Sequence, residues 1–237
     1  MVTLPIASSG SIDWYLTRST GAVTLILLTI TLALGVADVT RFSSARWPRF
    51  VIDSLHRNVS LLAVLFLAIH VLTSILDGFA QIQPIDAVIP FVGSYRPLWL
   101  GLGAVALDLM LAVVLTSMLR RRMGYATWRT THWLAYACWP IALLHGLGTG
   151  SDVQSSWLLY LSLGCLALVL TAVLARLASG WPADLGVRAG AAGAAAAFSF
   201  GLALWLPAGP LGEHWARRSG TPAALLGGHG AKRPVSR

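Results

Sequence analysis

Six stretches of this chain are apolar over about the length that a bilayer core demands. A helix rises about 1.5 Å per residue, so crossing about 30 Å of hydrocarbon takes about 20 apolar residues. The stretches run Thr17 to Ala37, His56 to Leu76, Leu98 to Leu119, Thr131 to Leu147, Trp157 to Leu177 and Val187 to Leu206. In 237 residues they leave no room for a sizeable soluble domain, and with 56% hydrophobic against 11% charged residues a water-soluble globule is excluded. The expected fold is all-α, a polytopic membrane bundle of six transmembrane helices over residues 1–207. Residues 208–237, rich in Gly, Pro, Ala and basic side chains without periodicity, are expected to form a disordered external tail.

The borders carry their own signals. Trp14, Trp47, Trp99, Trp128, Trp133, Trp157, Trp181 and Trp205 lie near stretch ends, where an amphipathic ring sits at headgroup level. The sixth stretch is the weakest: Ala189 to Ala197 holds only Ala and Gly, which suits close helix packing better than lipid solvation. The first ends in Gly35-Val36-Ala37 like a signal-peptide cleavage site, but Arg18 stands alone before it while Arg41, Arg46 and Arg49 follow, so it reads as a span. Cys138 and Cys165 fall inside apolar stretches with no CxxC spacing and read as small packing residues.

The net charge of +8 reads as an orientation signal and not as nucleic-acid affinity. The first, third and fifth loops with their flanks hold ten of the 17 basic residues: Arg41, Arg46, Arg49, Arg57, Arg120, Arg121, Arg122, Arg129, Arg176 and Arg188. The other side has Arg18 and Arg96, with five more in the tail. A multi-pass protein of a bacterial-type cell membrane with both termini extracytoplasmic is expected, its first partner being membrane lipid.

Four of the six histidines sit in these stretches, His56 and His70 in the second, His132 and His145 in the fourth. Ionisable groups at membrane depth are costly and usually have a functional partner, and imidazole is an axial ligand of haem iron. Fourteen residues on the second helix give about 21 Å of rise and about 1400° of rotation, which brings both rings within about 40° of one face. The second and fourth helices run in the same direction, so His56 and His132 share the cytoplasmic end and His70 and His145 the outer end. Each pair is placed to clamp one haem. On the fourth helix thirteen residues leave the rings about 140° off a common face; Pro140 between them should kink the helix and re-aim one ligand. The competing reading takes them as interfacial or packing histidines, His56 and His132 standing near stretch ends beside Arg57 and Trp133. His214 and His229, in the tail, have no partner pattern.

The runs Leu55-His56-Arg57-Asn58, Ala68-Ile69-His70, Trp128-Arg129-Thr130-Thr131-His132 and Leu143-Leu144-His145-Gly146 resemble the haem-binding membrane domain shared by ferric reductases, NADPH oxidases and the bacterial haem subunit serving periplasmic methionine sulfoxide reductase. The resemblance covers about Trp14 to Leu177. It implies two b haems held by His56, His132, His70 and His145, electrons passed outward, and a sixth span added at the C-terminal end. Arg18, in Leu16-Thr17-Arg18-Ser19-Thr20-Gly21, resembles the family arginine that faces the outer haem, where a guanidinium pairs with a propionate; a snorkelling arginine is the alternative. Arg57 and Arg129 are candidates for the inner propionates or plain positive-inside charges.

The family's flavin and nicotinamide domains have no counterpart in the sequence given, so a separate donor, a flavoprotein or a quinol, is expected on the cytoplasmic side. The chain then serves as the membrane electron-transfer subunit of a ferric reductase-like oxidoreductase. Oxygen-reducing members carry a further histidine four residues after the outer ligand of the second helix; here Ser74 stands there, which points to ferric iron or a partner redox protein as the external acceptor. Gly146 to Asp152 follows the outer ligand, and its small residues would let that acceptor approach. The rival from another class is a haem-free transporter or assembly subunit using the histidines and Asp108, in the middle of the third span, as a proton relay. Asp108 is expected to be protonated or hydrogen-bonded inside the bundle.

Overall fold

The computed structural model describes residues 12–42, 47–150, 155–179 and 184–226. Among them every regular element is a helix: α1 (Ile12–Val39), α2 (Arg49–Leu76), α3 (Pro84–Val88), α4 (Pro97–Met118), α5 (Arg120–Met123), α6 (Tyr125–His132), α7 (Leu134–Thr149), α8 (Ser156–Ala178), α9 (Leu185–Ala208), α10 (Trp215–Arg218) and α11 (Ala223–Leu226). Five of these, α1, α2, α4, α8 and α9, are long and apolar enough to cross a membrane. The chain is an all-helical, polytopic membrane bundle. Arg46 and Trp181, Ser151 and Asp152, and the last residues with His229 lie outside the described residues.

Two antiparallel pairs form the frame, α1 with α2 and α4 with α7, and α8 closes on α1. Polar residues inside the apolar helices satisfy themselves locally. On α1 the hydroxyls of Thr20, Thr24 and Thr29 donate to the carbonyls of Leu16, Thr20 and Leu25, 2.6 to 2.7 Å away, which hydrocarbon requires of any buried hydroxyl. Trp139, Leu143, Leu147, Cys165, Val169, Leu202 and Leu206 make a buried cluster where α7, α8 and α9 meet. The Trp139 indole N–H donates to Thr29 Oγ1 at 2.8 Å and ties α7 to α1. Both cysteines are free and buried, as expected of packing residues.

Four features differ from the sequence reading. The fourth stretch is not one helix: α6 ends at His132 and α7 begins at Leu134. Around Trp133 the hydrogen bonds shorten to three residues, Tyr136 N–H bonding to the Trp133 carbonyl at 3.0 Å. Such 3₁₀ winding adds about 20° per residue to the α-helical rotation, and so turns in the direction that the 140° mismatch needs.

The Ala- and Gly-rich half of α9 does not pack closely. Gly186, Gly190 and Gly193 have open space where a side chain would be. Asp108 is exposed, on the stripe of α4 that carries the exposed Leu111, Leu115 and Met118. On α4 Asp108 lies five residues, about 140°, round from Gly103, which meets the His145 ring, so its exposed side chain is turned away from the paired histidines and is not held inside the bundle.

The chain beyond Pro207 was expected to lack order, yet residues 209–226 fold back over the bundle end. Trp215 packs tilted against Trp99 and edge-on against Trp205, with centroids 5.3 and 5.8 Å away, and its indole N–H donates to the Gly148 carbonyl at 3.2 Å. Pro210 is fully buried. The physical reason is the indole: it offers a large apolar face together with an N–H that a carbonyl left free at the C-terminal end of α7 can accept.

Candidate functional site

The four histidines come together as two pairs. His56 and His132 have ring centroids 6.4 Å apart, His70 and His145 6.3 Å apart. Thus α2 supplies one ring to each pair, while α6 and α7 supply one apiece.

Three rings are held by one recurring device. The Nδ1 of His70 lies 2.8 Å from the Thr17 carbonyl, that of His56 3.0 Å from Thr31, and that of His145 2.8 Å from Trp99. A carbonyl only accepts, so each Nδ1 carries the proton and each Nε2 is left with its lone pair free. Four residues beyond each carbonyl, one helical turn on, stands a glycine. A Cβ on Gly21 would come within 2.9 Å of the His70 ring, one on Gly35 within 3.2 Å of His56, and one on Gly103 within 2.5 Å of His145. The missing side chain lets the ring approach the helix closely enough to reach the carbonyl one turn earlier. On α1 the unit Thr-x-x-x-Gly therefore occurs twice, at Thr17 and Thr31, with the same 14-residue spacing that separates His56 from His70 on antiparallel α2. Sequence reasoning missed this repeat, although Thr17-Arg18-Ser19-Thr20-Gly21 and Thr31-Leu32-Ala33-Leu34-Gly35 display it.

The ring separations test whether a haem iron suits each pair. Two imidazoles binding one iron from opposite sides at about 2 Å, each ring centre about 1.1 Å beyond its nitrogen, have centroids about 6.2 Å apart. Both pairs meet that spacing to within a few tenths of an ångström. The donor set, neutral imidazole with Nδ1 tied to a backbone carbonyl, is the one that fixes tautomer and ring orientation at metal sites. Among the described residues no cluster of three or more metal-ligating side chains exists, so the arrangement suits a two-ligand axial site and not a tetrahedral ion. The buried hydroxyls of Thr17 and Thr31 and the Nδ1 of His132 have no hydrogen-bond partner, and all three belong to residues of these two sites.

Of the arginines singled out from sequence, Arg18 is half-buried with its guanidinium over the Trp14 ring, 3.7 Å from the centroid. Arg57 and Arg129 are exposed, each adjacent in sequence to its histidine or three residues from it. The arginine that sequence reasoning passed over is Arg96, counted there only as a loop charge. It is 4% exposed and donates to the carbonyls of Gly148 and Thr149 at 3.1 and 3.0 Å and to Thr221 Oγ1 at 3.0 Å. Its backbone N–H bonds the Gly220 carbonyl at 3.0 Å. Arg96 holds the end of α7, the start of α4 and the folded-back segment together, at a left-handed φ of 43°. Burial lowers its pKa from the ordinary arginine value and raises that of neighbouring Tyr95. No sequence signal separates such a residue from a positive loop charge.

The same segment changes the reading of the loop after His145. Gly148 is buried beneath Trp99, and Trp215 bonds its carbonyl. Gly146, by contrast, faces open space. An approaching molecule therefore meets the Trp99, Trp205 and Trp215 cluster at this edge instead of a bare glycine loop.

No curated protein and no solved structure matches the chain. The family model described as the ferric reductase like transmembrane component matches residues 20–148, a region that contains all four paired histidines and the three cradling glycines and stops before α8. That match takes in more than half of the chain, and the protein belongs to the ferric reductase-like transmembrane family.

Proposed function

We infer that the protein is a di-haem b membrane cytochrome with six spans. It carries single electrons from a cytoplasmic-side donor, a flavoprotein or a quinol, to an external acceptor such as ferric iron or a partner redox protein. The observation that carries this reading is the pairing itself: two sets of histidine rings, at opposite ends of α2, each at a separation at which the two imidazoles would hold one iron between them. Bound haem would supply a one-electron ferric/ferrous couple within each pair, which no side chain of this chain provides.

The chain's own residues do the rest. The carbonyls of Thr31, Thr17 and Trp99 orient the His56, His70 and His145 rings and make them better donors through the Nδ1 hydrogen bond. Arg18 places a cation beside the outer pair, and Arg57 and Arg129 place cations beside the inner pair, where propionates need charge partners. The sixth crossing is assigned to α6 and α7 together, since sixteen residues of α7 alone rise only about 24 Å. Both termini are assigned outside from the distribution of basic residues. The proton-relay rival loses support from Asp108, which sits about 140° round α4 from Gly103, the residue that meets His145.

The test is a dithionite-reduced minus oxidised spectrum of the purified full chain. Sharp bands of six-coordinate b haem are expected. A colourless protein that stays colourless when expressed with excess haem would overturn the reading.

A further inference from the structure

We propose that the inner site exchanges one of its ligands: His132 is a displaceable ligand, and a small diatomic molecule binds in its place opposite His56. This rests on the haem reading above and goes beyond it, since two firmly held histidines at each site would leave no open position on either iron.

The inference comes from the one ring that the Gly-carbonyl device does not hold. Moving thirteen residues inward along α4 from Gly103, as His132 lies thirteen residues from His145 on the antiparallel partner, arrives at Thr116. By this register a threonine, and not a glycine, would face the His132 ring. The carbonyl that would serve His132, that of Ala112 by the same offset of four, accepts the Thr116 hydroxyl at 2.7 Å. The Nδ1 of His132 has no hydrogen-bond partner.

What does hold His132 is local. Its ring stacks on Trp128, one turn earlier on the same short helix, with centroids 5.0 Å apart and planes 28° apart. Trp128 is in turn covered by the Arg120 guanidinium, 4.2 Å from its ring centroid. Both contacts belong to the α5–α6 segment, which a long hydrogen bond from the Trp128 indole N–H to Ser117 Oγ, 3.4 Å, ties to α4. His132 is the last residue of α6, and the break at Trp133 separates it from α7. The other three histidines lie within long helices, at least four residues from an end, and bond across to a neighbouring helix. A rotation of the eight-residue α6 about Trp133 would withdraw His132 while leaving the other three rings untouched.

The ligand class is a small neutral π-acceptor such as carbon monoxide or nitric oxide, which binds ferrous iron trans to one imidazole and needs no charge partner. Carbon monoxide is the probe. The dithionite-reduced full-length protein is titrated with it, and the optical difference spectrum is recorded for the wild type, His56→Ala, His70→Ala and Thr116→Gly. The wild type should bind one carbon monoxide per chain, and His70→Ala, which removes the outer site, should keep that binding. Thr116→Gly frees the Ala112 carbonyl and opens the fourth cradle, so a pinned His132 should lower the apparent affinity at least about tenfold, through the smaller fraction of binding-competent protein. Two reduced haems with no carbon monoxide binding in the wild type would overturn the proposal and leave the haem reading standing. Binding that disappears in His70→Ala and not in His56→Ala would overturn it by placing the open site outside. A protein without haem would overturn both.

Discussion

Gly21 and His70 are in contact across two antiparallel helices so closely that a single methyl group on the glycine would come within 2.9 Å of the imidazole. The same relation joins Gly35 to His56 at 3.2 Å and Gly103 to His145 at 2.5 Å. These three distances rank the consequences of alanine. Gly103→Ala should be the most damaging and Gly35→Ala the least, with overpacking costs of about 1–3 kcal/mol where the neighbour cannot yield. Haem content per chain measures it: Gly103→Ala and Gly21→Ala should deplete the outer haem selectively, and Gly35→Ala should leave both largely in place. Equal loss in all three would contradict the cradle geometry.

The legible part of this site was the histidine pattern, because ionisable residues stand out against apolar helices and their spacing converts directly into rise and rotation. The glycines were not singled out, since a glycine in a membrane helix is common and only its position opposite a ring gives it meaning. Arithmetic on one continuous helix left the fourth stretch unsolved. The break at Trp133, where no proline or glycine marks the change, supplies part of the missing rotation. Asp108 was expected inside because a carboxyl in the middle of a span needs a polar partner, whereas it is exposed on α4, about 140° round from the face that meets His145. The folded-back segment was hidden by its composition: Gly and Pro signal disorder in general, and nothing local foretold that Trp215 would find Trp99.

Arg96 should matter more than the sequence suggests. Arg96→Ala leaves the carbonyls of Gly148 and Thr149 without their donor and unties Thr221. A loss of about 2–4 kcal/mol is expected for removing a buried, multiply bonded arginine, or about 5–15 °C in thermal midpoint for a chain of this size. Thermal unfolding in detergent, followed by tryptophan fluorescence, would show it, with Trp215 becoming solvent-exposed first. A midpoint unchanged within error would mean that the folded-back segment contributes nothing to the outer end.

Orientation is open to direct measurement. A reporter active only outside the cytoplasm should be active when fused after Ala208 and silent when inserted among Arg120 to Arg122. The opposite pattern would invert the protein and move electron entry to the pair formed by His70 and His145.

Ser74 bonds the His70 carbonyl at 2.6 Å through its hydroxyl and supplies no cationic donor beside the outer pair. Reduced protein should therefore be reoxidised faster by chelated ferric iron than by air, with little superoxide. Rapid superoxide production that is lost in Arg18→Ala, with no ferric reactivity, would contradict this.

The central claim is that this chain holds two separate haem sites, one at each end of α2. Haem per chain, quantified in the purified wild type, His56→Ala and His70→Ala, tests it most directly. Two haems in the wild type and one in each variant, the surviving haem differing between the two, are expected from the ring pairs. A wild type with no haem, or a single haem abolished by either substitution, would contradict it.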